Sequence, residues 1–580
     1  MMVSYYVQWF VWGGWLMALL GGLSLGENVF VFGMDLIHCS SCSYGVEILV
    51  DRVGLIFSGV VFFVSGCVFK FSDFYMREEP YSYRFHGLLM CFVFSMILFI
   101  FIPNLFGLML GWDGLGIFSF LLIIHYPASS SLSAGLFTAL TNRLGDCFII
   151  LFMIFNILEL GSSSSLGENL GWVGYLLALG AMTKSAQYPF SSWLPQAMAA
   201  PTPVSSLVHS STLVTAGVFL VIRYFEGLGS GVLGVLQWSS LATLFISGIA
   251  ACLENDLKKV VALSTLSQVS LMMFSVSLGF SALAFFHLVA HAVTKALLFI
   301  CVGFVIKGYG QDIRRLNSCF VENPSVKWYF CGSCISLCGF PFFSGFYSKE
   351  LVLEGLFMSE VSVLGSFMFV AGIWTTGYYS ARLVCLCFFN SLSDFSLSGL
   401  MGTRSSGCSL PVVHFCCFPL FLLTSMMGGW GAWFIVSCPC MYSCDIMKVL
   451  VLMIPFVGVY WLWLRTTAMR PRVPFWHVVG PGRFGVAEAW AAGNASRRSF
   501  FCELGFLDGL SSQPFVYWGF SLSEEVNFFM EQGWVEYVGP QGLSIWFKKF
   551  LNCNFIMCGH WFNYYTSLYM ALVVVLLVWS

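Results

Sequence analysis

Charged residues are scarce in this sequence, and their scarcity indicates its class. Only 9% of the 580 residues are charged and 58% are hydrophobic, whereas soluble domains contain about 25% charged residues. This composition predicts an integral membrane protein. The formal net charge is −2, so the sequence offers neither the basic surface of a nucleic-acid-binding protein nor an acidic tail.

Motifs that hold redox cofactors are also missing. The sequence has no phosphate-binding P-loop and no iron–sulfur cysteine spacing. Its 22 cysteines include the C-x-x-C pairs Cys39/Cys42 and Cys331/Cys334, but neither pair has histidines nearby at zinc-finger spacing. Most cysteines lie in apolar runs, where a thiol behaves as a small hydrophobic group. We therefore expect no cofactor and no metal in this chain, and any electron carriers must lie in other subunits.

Long apolar runs dominate the sequence. A membrane-spanning helix needs about 20 mostly apolar residues, and about fifteen segments meet this requirement. The predicted spans cover residues 5–25, 54–72, 85–103, 104–126, 136–160, 171–198, 202–224, 231–253, 256–279, 281–306, 328–357, 361–389, 409–436, 447–464 and 561–580. The first segment has no basic region before its apolar run, so we interpret it as a retained span.

The distribution of basic residues predicts the orientation of the spans. Connections after odd-numbered spans contain little positive charge beyond Arg52 and Arg223. Those after even-numbered spans contain Arg77, Arg84, Lys258, Lys259, Lys307, Arg314, Arg315, Lys327, Arg404 and Arg465. The positive-inside rule places the even connections on the cytoplasmic side or its organellar equivalent.

Two spans carry matching interruptions. The sixth contains Lys184 followed by Pro189 and Pro195, and the eleventh contains Pro341 followed by Lys349. Proline removes a helical hydrogen bond and clashes with the preceding turn, so both spans should be broken helices. Because they are five spans apart, spans 3–7 and 8–12 are predicted to form two inverted five-helix repeats, in which breaks of this kind mark ion sites.

The C-terminal region has a different pattern. Residues 465–560 are rich in Arg, Lys and Glu and contain Gly-Pro breakers, which favours an in-plane, amphipathic lateral arm. We predict an all-α polytopic membrane protein with N-terminal spans (1–83), a first antiporter-like half (84–224), a second half (225–390), further spans (391–464), the arm (465–560) and a C-terminal anchor (561–580).

Several ionisable residues lie within the apolar spans, where each costs at least a few kcal/mol unless it faces a partner or a wet cavity. In "FFHLVAHAVTKALLFICVGF", the four-residue spacing places three of them on one helical stripe about 12 Å long. The set comprises Asp113, Arg143, Asp146, Lys184, His209, Lys258, His287, His291, Lys295, Lys349 and Glu350.

Simpler explanations exist for individual members of this set. Arg143 and Asp146, at i and i+3, could only neutralise each other or could set the pKa of a neighbour. His209 could be a core histidine bonded to a carbonyl. The stripe of His287 and His291 could bind a metal ion, but no third ligand is evident. Taken together, the set favours a proton relay, because a desolvated lysine can exchange its proton near neutral pH and histidine titrates near pH 6.5.

The motifs that carry these residues resemble a known family. They are "GWDGLGIFSFLLI", "NRLGD", "KSAQYPFSSWLPQAMAAPTPVSSLVHSSTLVTAGVFLVIR", "NDLKKVVALSTLSQVSLMM", "AFFHLVAHAVTKALLFICVG" and "LCGFPFFSGFYSKE". The sequence is similar to the chain 5 family of NADH-ubiquinone oxidoreductase, the distal antiporter-like membrane subunits of respiratory complex I, which are related to subunits of Na⁺/H⁺ antiporters. The match covers roughly residues 72 to 390.

This resemblance implies roles for individual residues. Lys184 and Lys349 match the central lysines of the two halves, and Glu350 matches the carboxylate at the exit. His287, His291 and Lys295 match the bridging residues, and His209 and Lys258 match further positions of the axis. Asp113 stands where many members of the family have glutamate.

The function implied is proton translocation in the mitochondrial inner membrane, driven by NADH oxidation and quinone reduction elsewhere in the complex. NADH, FMN, iron–sulfur clusters and ubiquinone are then expected in other subunits. The expected partners are other membrane-arm subunits, especially the neighbouring antiporter-like subunit, and lipids, with no nucleic acid. The alternatives are a cation/proton antiporter and a purely structural membrane-arm subunit. Compared with the family, the sequence is expected to lack one N-terminal span and to have a lateral helix interrupted by Gly and Pro. Fifteen spans and the positive-inside rule place the N-terminus and the arm on the matrix side and Ser580 on the opposite side.

Overall fold

The computed structural model is described for residues 10, 11, 13, 14, 29–39, 42–160, 170–311, 324–359, 361–388, 410–435, 453, 456–460, 504, 507–529, 534, 536–555 and 562–579. Predicted spans one and fourteen lie largely outside these residues. All the other predicted spans coincide with helices. Among the described residues, eight helices are long and apolar enough to cross a membrane.

The helices of the larger unit are numbered in chain order. They are α1 (Arg52–Tyr75), α2 (Ser82–Phe101), α3 (Leu105–Ile123), α4 (Ser129–Leu160), α5 (Val173–Lys184), α6 (Trp193–Gln196), α7 (Thr202–Leu207), α8 (Leu213–Arg223), α9 (Ser230–Leu253), α10 (Leu257–Ser277), α11 (Ser281–Tyr309), α12 (Pro324–Cys338), α13 (Ser344–Met358), α14 (Val363–Phe388) and α15 (Leu410–Ile435).

An antiparallel hairpin precedes α1 and was not predicted. Its strands are β1 (Phe30–Cys39) and β2 (Cys42–Val50), paired from Phe30 opposite Val50 to Cys39 opposite Cys42, with an irregularity between Asp35 and Ile37. The all-α prediction is therefore incomplete here. Segments such as "FVF" and "VEILV" favour strands. Asp35 and His38 lie between these segments and interrupt the apolar run that a membrane span needs.

Two helices form the centre of the larger unit. The apolar stretches of α10 and α11 that could cross a membrane are completely buried by other helices, whereas the corresponding stretch of α4 is only one-third buried. Exposed leucines on α4, including Leu140 and Leu158, provide the apolar surface that a helix presents to lipid. The central helices are thus the ones that can carry polar side chains without exposing them to the bilayer.

Both predicted helix breaks are confirmed. After α5 ends at Lys184, Ala186 has a φ of 54°, and the indole of Trp193 donates to the carbonyl of Thr183 at 2.9 Å. That bond satisfies one carbonyl that the break leaves without a helical partner. Between α12 and α13, Gly339 has a φ of 87°, a conformation that glycine adopts without steric cost.

A π-helical turn, Val208–Thr212, joins α7 to α8. The hydroxyl of Thr212 donates to the carbonyl of Leu207 at 2.9 Å, five residues back. Such single π turns often occur at functional positions, and this one contains His209.

A second unit, Asp508–Ser580, contains the C-terminal helices. They are α16 (Leu507–Val526), α17 (Glu536–Val538), α18 (Pro540–Phe555) and α19 (Phe562–Trp579). The described part of the predicted arm is thus helical with interruptions, and the predicted anchor coincides with α19. Residues 465–503, 505, 506, 530–533, 535 and 556–560 of the predicted arm lie outside the described residues.

Candidate functional site

The first cluster of buried ionisable residues lies around Lys184. This lysine is the last residue of α5, where the helix breaks, and its side chain is fully buried. Its ammonium donates a hydrogen bond of 2.5 Å to the carbonyl oxygen of Trp112 on α3. The same ammonium lies 3.8 Å from the centre of the Trp112 ring, a distance typical of a cation–π contact.

Trp112 also connects this lysine to a carboxylate. Its indole N–H donates to Asp146 Oδ1 at 2.7 Å, and the carboxylates of Asp146 and Asp113 both act electrostatically on Lys184. Arg143 lies 3.1 Å from Asp146 and 3.5 Å from Asp113. The predicted Arg143–Asp146 ion pair is therefore present, and Asp146 is coupled to the lysine as well.

The two carboxylates differ in exposure. The side chain of Asp146 is 9% exposed, whereas that of Asp113 is 37% exposed. Solvent screens a half-exposed charge more strongly than a buried one. Asp146 is consequently the stronger partner of Lys184, although the sequence motif directed attention to Asp113.

His209 lies in the π turn beside this cluster. It is buried, and its ring lies 6.2 Å from that of Trp193, whose indole bonds to the carbonyl of the residue before Lys184. Within the described residues neither ring nitrogen of His209 has a hydrogen-bond partner. A buried imidazole in this condition has free capacity to bind a water molecule.

Lys258 occupies a separate position near the start of α10. Its ammonium donates to the carbonyl of Ala200 at 3.1 Å, and the side chain is buried. The neighbouring Lys259 is instead half-exposed and lies 3.6 Å from Asp256. One lysine of this pair faces the interior and the other faces outward.

The predicted stripe on α11 spans the interior. At one end, the ammonium of Lys295 donates to the hydroxyl of Ser264 on α10 at 2.5 Å. At the other end, His287 Nδ1 is 2.8 Å from the hydroxyl of Ser348 on α13. The rings of His287 and His291 are 6.2 Å apart, and both nitrogens of His291 lack partners among the described residues. The stripe therefore links the lysine to the broken helix.

Lys349 lies on α13, next to Ser348. Its side chain is buried, and its ammonium donates to the carbonyl of Leu337, near the end of α12. Glu350 follows it in the helix and is half-buried. Successive helical residues point about 100° apart, so the two side chains leave the helix in different directions.

Sequence reasoning missed several polar groups of the interior. Glu354, one turn after Glu350, is only 6% exposed and could have been found as an acid within the apolar run "LVLEGLF". The hydroxyls that receive the lysines and histidines, Ser264 and Ser348, gave no comparable signal. Within the described residues, no cluster of three or more His, Cys, Asp or Glu side chains could hold a metal ion.

Comparisons with known proteins cover most of the chain. Residues 103–375 match a family model described as the NADH:quinone oxidoreductase/Mrp antiporter membrane region. Residues 37–86 match the N-terminus of complex I chain 5, and residues 490–580 match the C-terminus of NADH dehydrogenase subunit 5.

Curated relatives give the same result. NADH-ubiquinone oxidoreductase chain 5 of Mytilus edulis is 40% identical over 537 residues, covering 90% of each chain. The chain 5 protein of Lumbricus terrestris is 35% identical, covering 94% of this chain and 92% of the relative.

Two solved structures show a similar fold. The Mrp complex from Dietzia sp. DQ12-45-1b has a TM-score of 0.60 at 20% identity, over 85% of this chain and 59% of the other. The archaeal membrane-bound sulfane sulfur reductase has a TM-score of 0.62 at 16% identity, over 79% of this chain and 93% of the other.

Proposed function

The chain belongs to the NADH-ubiquinone oxidoreductase chain 5 family, and from this premise we propose that its buried lysines, histidines and carboxylates form the path of the translocated protons. As a member, it is a multi-pass subunit of the mitochondrial inner membrane. It is part of the enzyme complex that couples NADH oxidation to proton pumping.

One observation carries the proposal: four fully or nearly fully buried lysines each donate a hydrogen bond to a neutral oxygen, Lys258 among them through the carbonyl of Ala200. Lys184 donates to the carbonyl of Trp112, Lys295 to the hydroxyl of Ser264, and Lys349 to the carbonyl of Leu337. A buried ammonium is costly unless charges nearby compensate it. A change in the surrounding charges therefore shifts the balance between holding and releasing a proton.

The arrangement suggests an order of transfer. In the first half, the carboxylates of Asp113 and Asp146 favour the charged form of Lys184. His209 and Lys258 would connect the two halves, since the ammonium of Lys258 donates to the carbonyl of Ala200 in the first half. In the second half, Lys295, His291 and His287 lead to Lys349, with Glu350 as the candidate exit. Water molecules would complete the gaps, because neutral imidazoles can both accept and donate a proton.

The remaining assignments concern the complex. We assign quinone reduction and the redox cofactors NADH, FMN, iron–sulfur clusters and ubiquinone to other subunits. The free energy of the redox reaction would reach this chain as electrostatic or conformational changes. The proposed partners are the other membrane-arm subunits, above all the neighbouring antiporter-like subunit. Residues 84–224 and 225–390 would be its two translocating halves.

A cation/proton antiporter is the second candidate, favoured by the fold shared with the Mrp complex. The two candidate functions differ in the subunits with which the chain should copurify. Copurification with flavin-bearing and iron–sulfur subunits supports the first, and isolation with antiporter subunits alone supports the second.

The test of the proton path is Lys295→Met in the assembled complex. We expect proton pumping, and with it NADH-linked quinone reduction, to fall strongly. Lys259→Met is the matched control, because Lys259 is half-exposed and pairs with Asp256 on the surface. Normal pumping in an assembled Lys295→Met complex would contradict the proposal.

A further inference from the structure

Arg52 and Arg223 are unusual for their positions. Both lie in connections after odd-numbered spans, on the face that otherwise carries little positive charge. Arg52 is the first residue of α1 and Arg223 is the last residue of α8, so each is placed where a spanning helix meets the membrane surface. The two arginines line one cavity of about 360 Å³, a volume within the range of small-molecule sites, about 300–1,000 Å³.

The charges around this cavity do not cancel. Arg223 forms two hydrogen bonds with Asp51, at 2.6 and 2.8 Å, and Asp51 also caps α1 by accepting from the amide of Gly54 at 3.1 Å. Arg52 is exposed and forms no ion pair with any described residue. Together these three side chains therefore retain one positive charge, which belongs to Arg52.

The other walls divide the cavity into a polar and an apolar part. Ser281, which also lines it, begins the 29-residue helix α11, and a helix N-terminus carries a partial positive charge. The apolar lining is formed by Val53, Ile56, Ile222, Ala282 and Phe285. A cationic mouth next to an apolar wall matches a molecule with an anionic head and a hydrocarbon tail.

We propose that this cavity binds the headgroup phosphate of an anionic phospholipid, with the upper part of an acyl chain against the apolar wall. Arg52 would hold the phosphate, because guanidinium recognises phosphate oxygens with paired hydrogen bonds. The hydroxyl of Ser281 would donate to the same group, and the Asp51–Arg223 pair fixes the start of α1. Free inorganic phosphate could accept the same hydrogen bonds as the headgroup phosphate, but the apolar wall favours a ligand with an acyl chain.

The test uses the purified, delipidated complex and photoactivatable lipids. One probe has a phosphatidylglycerol head and the other a phosphatidylcholine head, with identical acyl chains. The readout is the yield of crosslinks to peptides containing residues 52–56 and 281–285. We expect the anionic probe to label these peptides. Arg52→Gln should reduce the labelling about tenfold, because the loss of one hydrogen bond to a charged group lowers the binding affinity by at least about that factor.

Arg77→Gln is the matched control, because Arg77 is an exposed arginine just beyond the opposite end of the same helix. It should leave the labelling unchanged. Equal labelling by the two probes, or no effect of Arg52→Gln, would overturn the proposal. Complete displacement of the lipid probe by millimolar inorganic phosphate would show a site for a soluble anion and would overturn it too. None of these readouts depends on proton pumping.

Discussion

The ammonium of Lys184 lies 3.8 Å from the centre of the Trp112 ring while it donates a 2.5 Å hydrogen bond to the carbonyl of the same residue. The ring and the carbonyl thus hold the lysine from two sides. The indole N–H of Trp112 bonds to Asp146, so one residue positions both the lysine and its more deeply buried counter-charge.

Trp112→Phe should weaken coupled turnover. The substitution keeps an aromatic face for the ammonium but removes the indole donor to Asp146, and a hydrogen bond to a charged group contributes about 1.5–3 kcal/mol. We expect a severalfold fall in pumping and NADH-linked quinone reduction in an assembled complex. Trp172→Phe is the control, since Trp172 is half-exposed. Equal rates for the two variants would contradict a positioning role for Trp112.

Asp146 is expected to matter more than Asp113. Asp146→Asn removes a buried carboxylate that is bonded to Trp112, whereas Asp113→Asn removes one that is 37% exposed and 3.5 Å from Arg143. Proton pumping should therefore fall further in Asp146→Asn than in Asp113→Asn, measured as protons moved per NADH oxidised. The reverse order would show that Asp113 is the controlling carboxylate.

Much of this arrangement could be predicted from sequence. Helix positions follow from the length of the apolar runs, and the two broken helices follow from Pro189 and Pro341. The ionisable residues stand out because an apolar run has few of them. Each of these features depends on residues that are close together in the sequence, so it can be predicted without knowledge of the packing.

Other features depend on packing between distant segments. Nothing near Asp146 in the sequence indicates that it meets Trp112, 34 residues earlier. The π turn at His209 contains no proline or glycine to mark it. The neutral partners of Lys295 and Lys349, a serine hydroxyl and a backbone carbonyl, are groups that occur throughout the sequence and cannot be distinguished there.

The Asp51–Arg223 pair should stabilise the contact between the first and eighth helices. Its side chains are 12% and 14% exposed, so Arg223→Gln leaves a largely buried carboxylate unpaired at a cost of about 3 kcal/mol. Thermal unfolding of the detergent-solubilised complex measures the change. Asp51→Asn retains a capping side chain and allows a double-mutant cycle. Additive effects of the two substitutions would show that the pair contributes no coupling.

Because of His125, in the connection between α3 and α4, we expect the stability of the protein to decrease at acidic pH. Burial lowers the pKa of His125 from its usual value, and the positive charge of Arg84 lowers it further. The unfolded chain then binds this proton more readily than the folded chain, so stability should decline as the pH falls through about 6.5. His125→Gln should flatten this part of the stability profile. An unchanged profile would assign the acid sensitivity to other groups.

The hydroxyl of Tyr379 should support the central helices. It lies 3.3 Å from both the hydroxyl of Ser267 and the amide nitrogen of Gln268 on α10, and Ser267 in turn bonds to the carbonyl of Ser264, the partner of Lys295. Tyr379→Phe keeps the ring but leaves buried polar groups without this partner, which costs about 1–3 kcal/mol. The expected result is a lower thermal stability together with reduced pumping, because the same α10 segment holds Lys295. Tyr83→Phe, at a side chain that is 88% exposed, is the control. A Tyr379→Phe complex as stable and active as this control would show that the interior does not depend on the phenol.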